Sequence, residues 1–342
     1  MKLASLLYRL GYYFMKILKK LLPLSFVCLL NFCVSAQETL PIYSDYLSDN
    51  VYLLHPAAAG IGDSGKIRLT SRTQWKDVDN APSLQTLSFH NRVGSVSGLG
   101  LILFNNENGY HSQKGFQTTY AYHINLSNSY RTFEQLSFGL SLTLVQNQFD
   151  TSILPPTGID PSLIDIANSD GYFNGDFGMA YHRDKFFSYL TIKNMFLTTK
   201  TDDVLEPIDL SKFILSAGYF FGEEKSLQFE PSVMALYEPH FGRTQVDLNC
   251  KVYKVINGTQ LWGALSYRTS FGGEQIENTN FITPIIGINY EKFLFSYTYS
   301  EQLGDLGLVV KGGYHQLTLG LDVFVRKSRL AACPNINSSY FY

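Results

Sequence analysis

The sequence predicts an all-β protein, a transmembrane antiparallel β-barrel of about 14 strands. Apolar and polar side chains alternate with a period of two from about Lys66 onward, and convincing helical periodicity is absent. The strands run to about ten to thirteen residues, against a usual five or six in globular sheets, and a tilted membrane-crossing strand needs about nine to eleven. The connections between them alternate short and long, as in outer-membrane barrels. A soluble β-sandwich also alternates, so strand length and loop asymmetry decide the matter. An even strand number also puts both barrel ends on the short-turn, periplasmic side.

Residues 1–36 read as a signal peptide. Lys2, Arg9, Lys16, Lys19 and Lys20 form a basic region, residues 21–34 an apolar run broken by Pro23, and Val34, Ser35 and Ala36 a small-residue cleavage signature. The rival reading is a membrane-spanning helix, which needs about 20 apolar residues, more than this run supplies. Phe32 is too large to precede a lipidated Cys33. Loss of five positive and no negative side chains takes the formal net charge from −2 to −7. No basic patch suited to nucleic acid remains, and no nucleic-acid partner is expected.

Residues 37–65 contain PIYSDYLSDNVYLLHPAAAGIGDSG, too long for a simple lead-in and too apolar for a solvated tail. This periplasmic segment is expected to line or plug the barrel mouth. Residues 66–325 supply the barrel, with strands predicted at 66–73, 83–92, 97–105, 114–125, 134–148, 174–183, 185–194, 211–221, 226–238, 243–254, 259–269, 280–290, 292–300 and 312–325. In QLSFGLSLTLVQN (135–147), Leu136, Phe138, Leu140, Leu142 and Leu144 oppose Ser137, Gly139, Ser141 and Thr143. In RTQVDLNCKVYK, Val246, Leu248, Cys250 and Val252 oppose Asp247, Asn249 and Lys251; in GFQTTYAYHIN, Phe116, Tyr120, Tyr122 and Ile124 oppose Gln117, Thr119, Ala121 and His123. Residues 326–342 continue past the last strand and are expected to lie in the periplasm.

The leucine faces are expected to meet lipid and the small polar faces to line the interior. In hydrocarbon no backbone N–H may go unpaired, so the sheet must close on itself, which also removes its edges. Charge is sparse, 16% against a typical value of about 25%. Tyr (23) and Phe (25) are abundant and suit aromatic girdles, with Tyr120, Tyr122, Tyr219, Phe221, Tyr237, Tyr290, Phe293, Phe295, Tyr297 and Tyr299 as candidates.

No catalytic or cofactor-binding signature is found, so neither an enzyme nor a cofactor is expected. Cys250 and Cys333 do not form a disulfide framework. The acidic loop DIANSDG (165–171) lacks calcium-loop spacing. His90, His123 and His182 fall on polar strand faces, where hydrogen bonding is preferred to metal ligation, and no metal is expected. The candidate lumen-lining charges are Arg68, Arg72, Asp176, Glu230, Asp247, Lys251, Arg268 and Asp322. Mixed signs suit mutual pairing in a packed lumen, with a water-filled charged wall as the alternative. Trp75 stands in the first long loop, QWKDVDNAP, either as part of a docking surface or packed into the mouth.

In order along the chain stand HPAAAG (55–60), QWKDVDNAPSLQTLSFH, GLGLILFNNENG, TTYAYHINL, GYHQLTLGLDV and Cys333–Pro334. The chain thereby resembles the PorP/SprF family of the Bacteroidetes type IX secretion system, over nearly all of its mature length. His55 departs from the Asn usual at that place. The resemblance implies an outer-membrane protein for secretion of particular cargo proteins, including gliding adhesins, and for their retention at the cell surface. The implied partners are cargo with a C-terminal sorting domain, other type IX secretion components and outer-membrane lipid. The candidate partner-binding residues are Trp75, Lys76 and Asp77, with His55 and Pro56. The competing functions are a channel or hydrophobic-substrate transporter, which would conduct or take up solutes, and a membrane lipase, which would need a Ser/His pair that is not found.

Overall fold

The computed structural model describes residues 50–62, 64–74, 81–109, 111–127, 132–149, 170–196, 211–222, 226–272, 280–303 and 313–325. The expected signal peptide and C-terminal tail, residues Trp75, Lys76 and Asp77, and most of the acidic loop lie outside these.

Fourteen strands stand among the described residues. They are β1 (Gly65–Gln74), β2 (Ser83–Val93), β3 (Ser97–Asn108), β4 (His111–Asn125), β5 (Glu134–Phe149), β6 (Asp170–Arg183) and β7 (Phe186–Lys193), then β8 (Lys212–Tyr219), β9 (Gln228–Glu238), β10 (Arg243–Ile256), β11 (Thr259–Phe271), β12 (Asn280–Tyr290), β13 (Phe293–Leu303) and β14 (Tyr314–Val323). Each pairs antiparallel with its chain neighbours, and β1 pairs with β14 to close the barrel. That seam runs without interruption from Gly65↔Val323 to Gln74↔Tyr314, so no edge is left open to hydrocarbon.

The alternation sorts side chains as the pleat requires. On β5, Leu140, Leu142 and Leu144 are exposed on the outer face, while Ser137, Ser141 and Thr143 are buried inside. On β10, Leu248 and Cys250 face outward and Asp247, Asn249 and Lys251 inward. Tyr120, Tyr122, Tyr219, Phe221, Tyr237, Tyr290, Phe293 and Phe295 are all exposed on the outer surface, with rings suited to a bilayer interface.

The tight turns have the backbone their residues favour. Asn257 and Gly258 join β10 to β11 with φ of 48° and 81°, the doubly left-handed geometry of a hairpin that matches strand twist. The short and long connections alternate with exceptions. The β3–β4 and β9–β10 connections, at 109–110 and 239–242, are tight although they fall on the long-loop side, and the β4–β5 connection at 126–133 is longer than its short-turn neighbours.

The wall is uneven. β4 and β5 share fifteen residue pairs, whereas β7 and β8 have eight residues each and the β8–β9 ladder has six pairs. Pro231 stands where that ladder stops, and a lone bridge between Phe221 and Phe229 follows. Proline has no N–H to give the ladder.

Candidate functional site

The described residues before β1 run inside the barrel. Residues 50–61, NVYLLHPAAAGI, cross the lumen and return as two short 3-10 turns, Val51–Leu53 and Pro56–Ala58. Pro56 opens the second turn, where its missing N–H is not needed. Tyr52, Leu53, Leu54, His55, Ala57, Ala58, Ala59 and Ile61 are all buried. This composition suits a plug: alanines let the backbone approach the wall, and the larger side chains fill the remaining space.

The wall is carved to receive it. Gly98 and Gly100 on β3, Gly139 on β5 and Gly178 on β6 face inward beneath the plug. A methyl group added at Gly98 would overlap the Ala59 carbonyl oxygen, and one at Gly100 the Tyr52 ring. At Gly139 it would overlap the backbone of Pro56 and Ala57, and at Gly178 it would stand 3.0 Å from the Ala57 nitrogen. Ala121 of β4 is fully buried in the same cluster as the plug alanines. At Gly98 and Gly139 plug main chain occupies the space that a side chain would take, at Gly100 the Tyr52 ring does, and at Gly178 the Ala57 nitrogen and the Pro56 ring do.

Polar contacts fix the plug's height. Asn50 Nδ2 donates to Ser88 Oγ at 3.0 Å, and the Tyr52 hydroxyl to Thr119 Oγ1 at 2.8 Å. Thr119 continues to Ser141 at 2.8 Å, and Gln117 donates to Ser141 at 3.0 Å. Gly60 N–H donates to His90 Nδ1 at 3.1 Å. His123 Nε2 lies 3.0 Å from the Ala59 carbonyl, which can only accept, so the proton of His123 sits on Nε2 and Nδ1 is left to accept from Ser137.

His55 is the most enclosed of these groups. Its Nδ1 lies 2.8 Å from Thr191 Oγ1 on β7 and its Nε2 3.0 Å from Ser216 Oγ on β8, and its ring stacks on Tyr189 at 4.8 Å. Both partners are hydroxyls that can give or take a proton, so a neutral imidazole is satisfied in either tautomer. Burial, aided by the charge of Lys193, pushes its pKa down to about 3. Burial likewise raises the pKa of the Tyr52 hydroxyl, and the ring remains a neutral donor. Lys193 Nζ reaches the Leu53 carbonyl at 3.5 Å and Asp176 at 3.3 Å, tying the plug to a buried ion pair.

The charges singled out from sequence sit on inward positions. Arg68 meets Asp322 at 2.9 Å across the β1–β14 seam. Arg268 grips Asp247 with two bonds of 2.8 Å. Asp176 takes Lys193 and the Asn194 N–H. Glu230 accepts the Tyr253 hydroxyl at 2.6 Å, Lys251 lies over the rings of Tyr253 and Trp262, and Arg72 over that of Tyr314. His55 and Pro56, expected at a partner-binding surface, lie in the middle of the lumen. Sequence reasoning missed Lys193, and also Glu238, which takes both Lys212 and Arg243. It also missed the plug's anchors, Asn50 and Tyr52, and the role of the inward glycines. Strand parity alone was the available signal for all of these but the anchors. Among the described residues, no group of three or more His, Cys, Asp or Glu side chains is placed to hold a metal ion.

A family model described as "Type IX secretion system membrane protein PorP/SprF" matches residues 35–321. No curated protein matches the chain. Among solved structures, the chain is similar to a CymD monoaromatic hydrocarbon channel, at 9% identity and a TM-score of 0.44 over 77% of this chain and 88% of that one. It is also similar to BamA from Haemophilus ducreyi lacking POTRA domains 1–3, at 9% identity and a TM-score of 0.39 over 76% and 70%. A KdgM porin matches at 8% identity and a TM-score of 0.34 over 75% and 98%.

Proposed function

Because the chain belongs to the PorP/SprF family of type IX secretion system membrane proteins, we propose that it is a non-enzymatic outer-membrane barrel that binds a secreted, adhesin-like cargo protein. On this reading it supports export of that cargo and its retention at the cell surface. The observation that carries it is the occupied lumen: main chain seated on inward glycines takes the space a diffusing solute would need. A diffusion channel calls for a wet, uninterrupted bore, whereas a holding device calls for a rigid wall. Paired interior charges such as Arg268 with Asp247 stiffen the wall rather than steer ions through it. The barrel thus anchors in lipid by its outer face and offers its loop-bearing end to the cargo, with Trp75, Lys76 and Asp77 in the first long loop as candidate contacts.

The test is recovery of the tagged barrel from its own cells in mild detergent, followed by mass spectrometry of what accompanies it. A large secreted protein with a C-terminal sorting domain is expected in stoichiometric yield, and its recovery should fall when Trp75 is changed to Ala. Recovery of the barrel alone from cells that are secreting normally would overturn the reading.

A further inference from the structure

Strand β8 is the least secured part of the wall. It has eight residues, with eight pairs to β7 and six to β9 before Pro231 ends the ladder. Two successive plug residues reach this strand from inside. His55 joins Thr191 of β7 to Ser216 of β8. Leu54, fully buried, joins the apolar cluster that holds Ile214 of β8 with Met234 and Leu236 of β9 and runs on through Tyr253 of β10, Trp262 and Ala264 of β11 and Ile285 of β12. His55 therefore spans the β7–β8 ladder, and Leu54 packs in the cluster that backs the β8–β9 ladder. The plug's other anchors fall elsewhere, Asn50 on β2, Tyr52 on β4, and Ala57 above Gly139 and Gly178 on β5 and β6.

We propose that the plug is a clamp on β8, so that its withdrawal and a parting of the wall beside β8 are one coupled event. The gap would connect the lumen sideways to the membrane at the height of Leu54 and His55. The wall stays shut while the clamp is seated, because separated ladders would leave N–H and C=O groups unpaired in hydrocarbon. A short ladder leaves the fewest such groups, so β8 is where the wall yields first. The inference concerns the barrel alone and stands whether or not a cargo is held.

Amide hydrogen exchange on the full-length barrel in detergent tests it, comparing β8 peptides with those of β13. In Leu54→Ala and His55→Ala, exchange in β8 is expected to quicken on the order of tenfold or more, with β13 unchanged. Tyr52→Phe removes an anchor on β4 and is expected to leave β8 unchanged. Heat-modifiable migration in gels shows that each variant is a folded barrel. Should Leu54→Ala fail to fold, His55→Gln, which keeps one hydrogen bond to the wall, carries the test with a smaller rise confined to β8 and its two neighbours. Unaltered β8 exchange in the folded variants, an equal rise all around the barrel, or the same rise in Tyr52→Phe would each overturn the proposal.

Discussion

Leu140 and Ser141 are neighbours on β5 with opposite surroundings. Leu140 is 57% exposed on a face that offers the bilayer mostly apolar surface. Ser141 is buried, bonded to Thr119 and Gln117 two steps from the plug's Tyr52. The same contrast runs around the barrel. The outer face is a solvent boundary, sensitive to charge and indifferent to shape. The inner face is a packed interior, tolerant of charge where a partner stands opposite and intolerant of added volume.

Substitutions separate the two rules. The largest effect is expected inside. Arg268→Met leaves Asp247 buried without its guanidinium and should cost about 3–5 kcal/mol in denaturant unfolding from lipid vesicles. A cost under about 1 kcal/mol would show the pair screened by water, as at an exposed site. Outside, Leu140→Arg should cost about 2–4 kcal/mol, the toll of a cation near the bilayer midplane, while Leu140→Ile should be almost silent. In a water-filled lumen Ser141→Arg would be the milder change. The packed network around Ser141 removes that condition, and comparable damage is now expected, through displacement of Tyr52.

Glycine sharpens the contrast further. Gly98→Ala should cost about 1–3 kcal/mol by overpacking against Ala59. Gly263→Ala on the outer face, where the new methyl meets only the Ile285 carbonyl at 3.5 Å, should be tolerated in the same assay. Equal losses at both positions would mean that the plug does not rest on Gly98.

The pH response follows from His55. Folded, it stays neutral down to about pH 3; unfolded, it takes up a proton near about 6.5. Between these values the unfolded chain binds more protons, so this contribution is fully present above the unfolded pKa and is lost as pH falls, by up to about 1.4 kcal/mol per pH unit. His55→Gln should flatten the decline of unfolding midpoint between pH 7 and pH 4.5, and parallel curves for the two proteins would contradict a sealed imidazole. The smallest effect is expected at Cys250, whose thiol faces outward, where Cys250→Ala should change stability by no more than about 0.5 kcal/mol.

Much of the wall was legible in advance, because lipid outside and hydroxyls inside impose a period of two wherever the strand crosses the membrane. The misjudged boundaries lie where that pressure ends. β4 begins at His111 and β6 at Asp170, earlier than predicted, because those residues extend past the apolar belt and carry no alternation. β8 ends at Tyr219, short of the predicted limit, with Pro231 opposite its end. The plug was foreseen as a segment but its seat was not. Its contacts join residues as far apart in sequence as His55 and Ser216, and a glycine that makes room for backbone looks the same in sequence as one that merely permits a bend. Lys193 and Glu238 escaped notice because each lies near the end of a short ladder, and their partners come from separate strands.

Single-channel recording in planar bilayers bears most directly on whether the barrel is a filled holder rather than an open bore. The purified wild-type protein should insert without steady ion conductance, because residues 50–61 occupy the lumen. A stable, reproducible open current from the intact chain would contradict that.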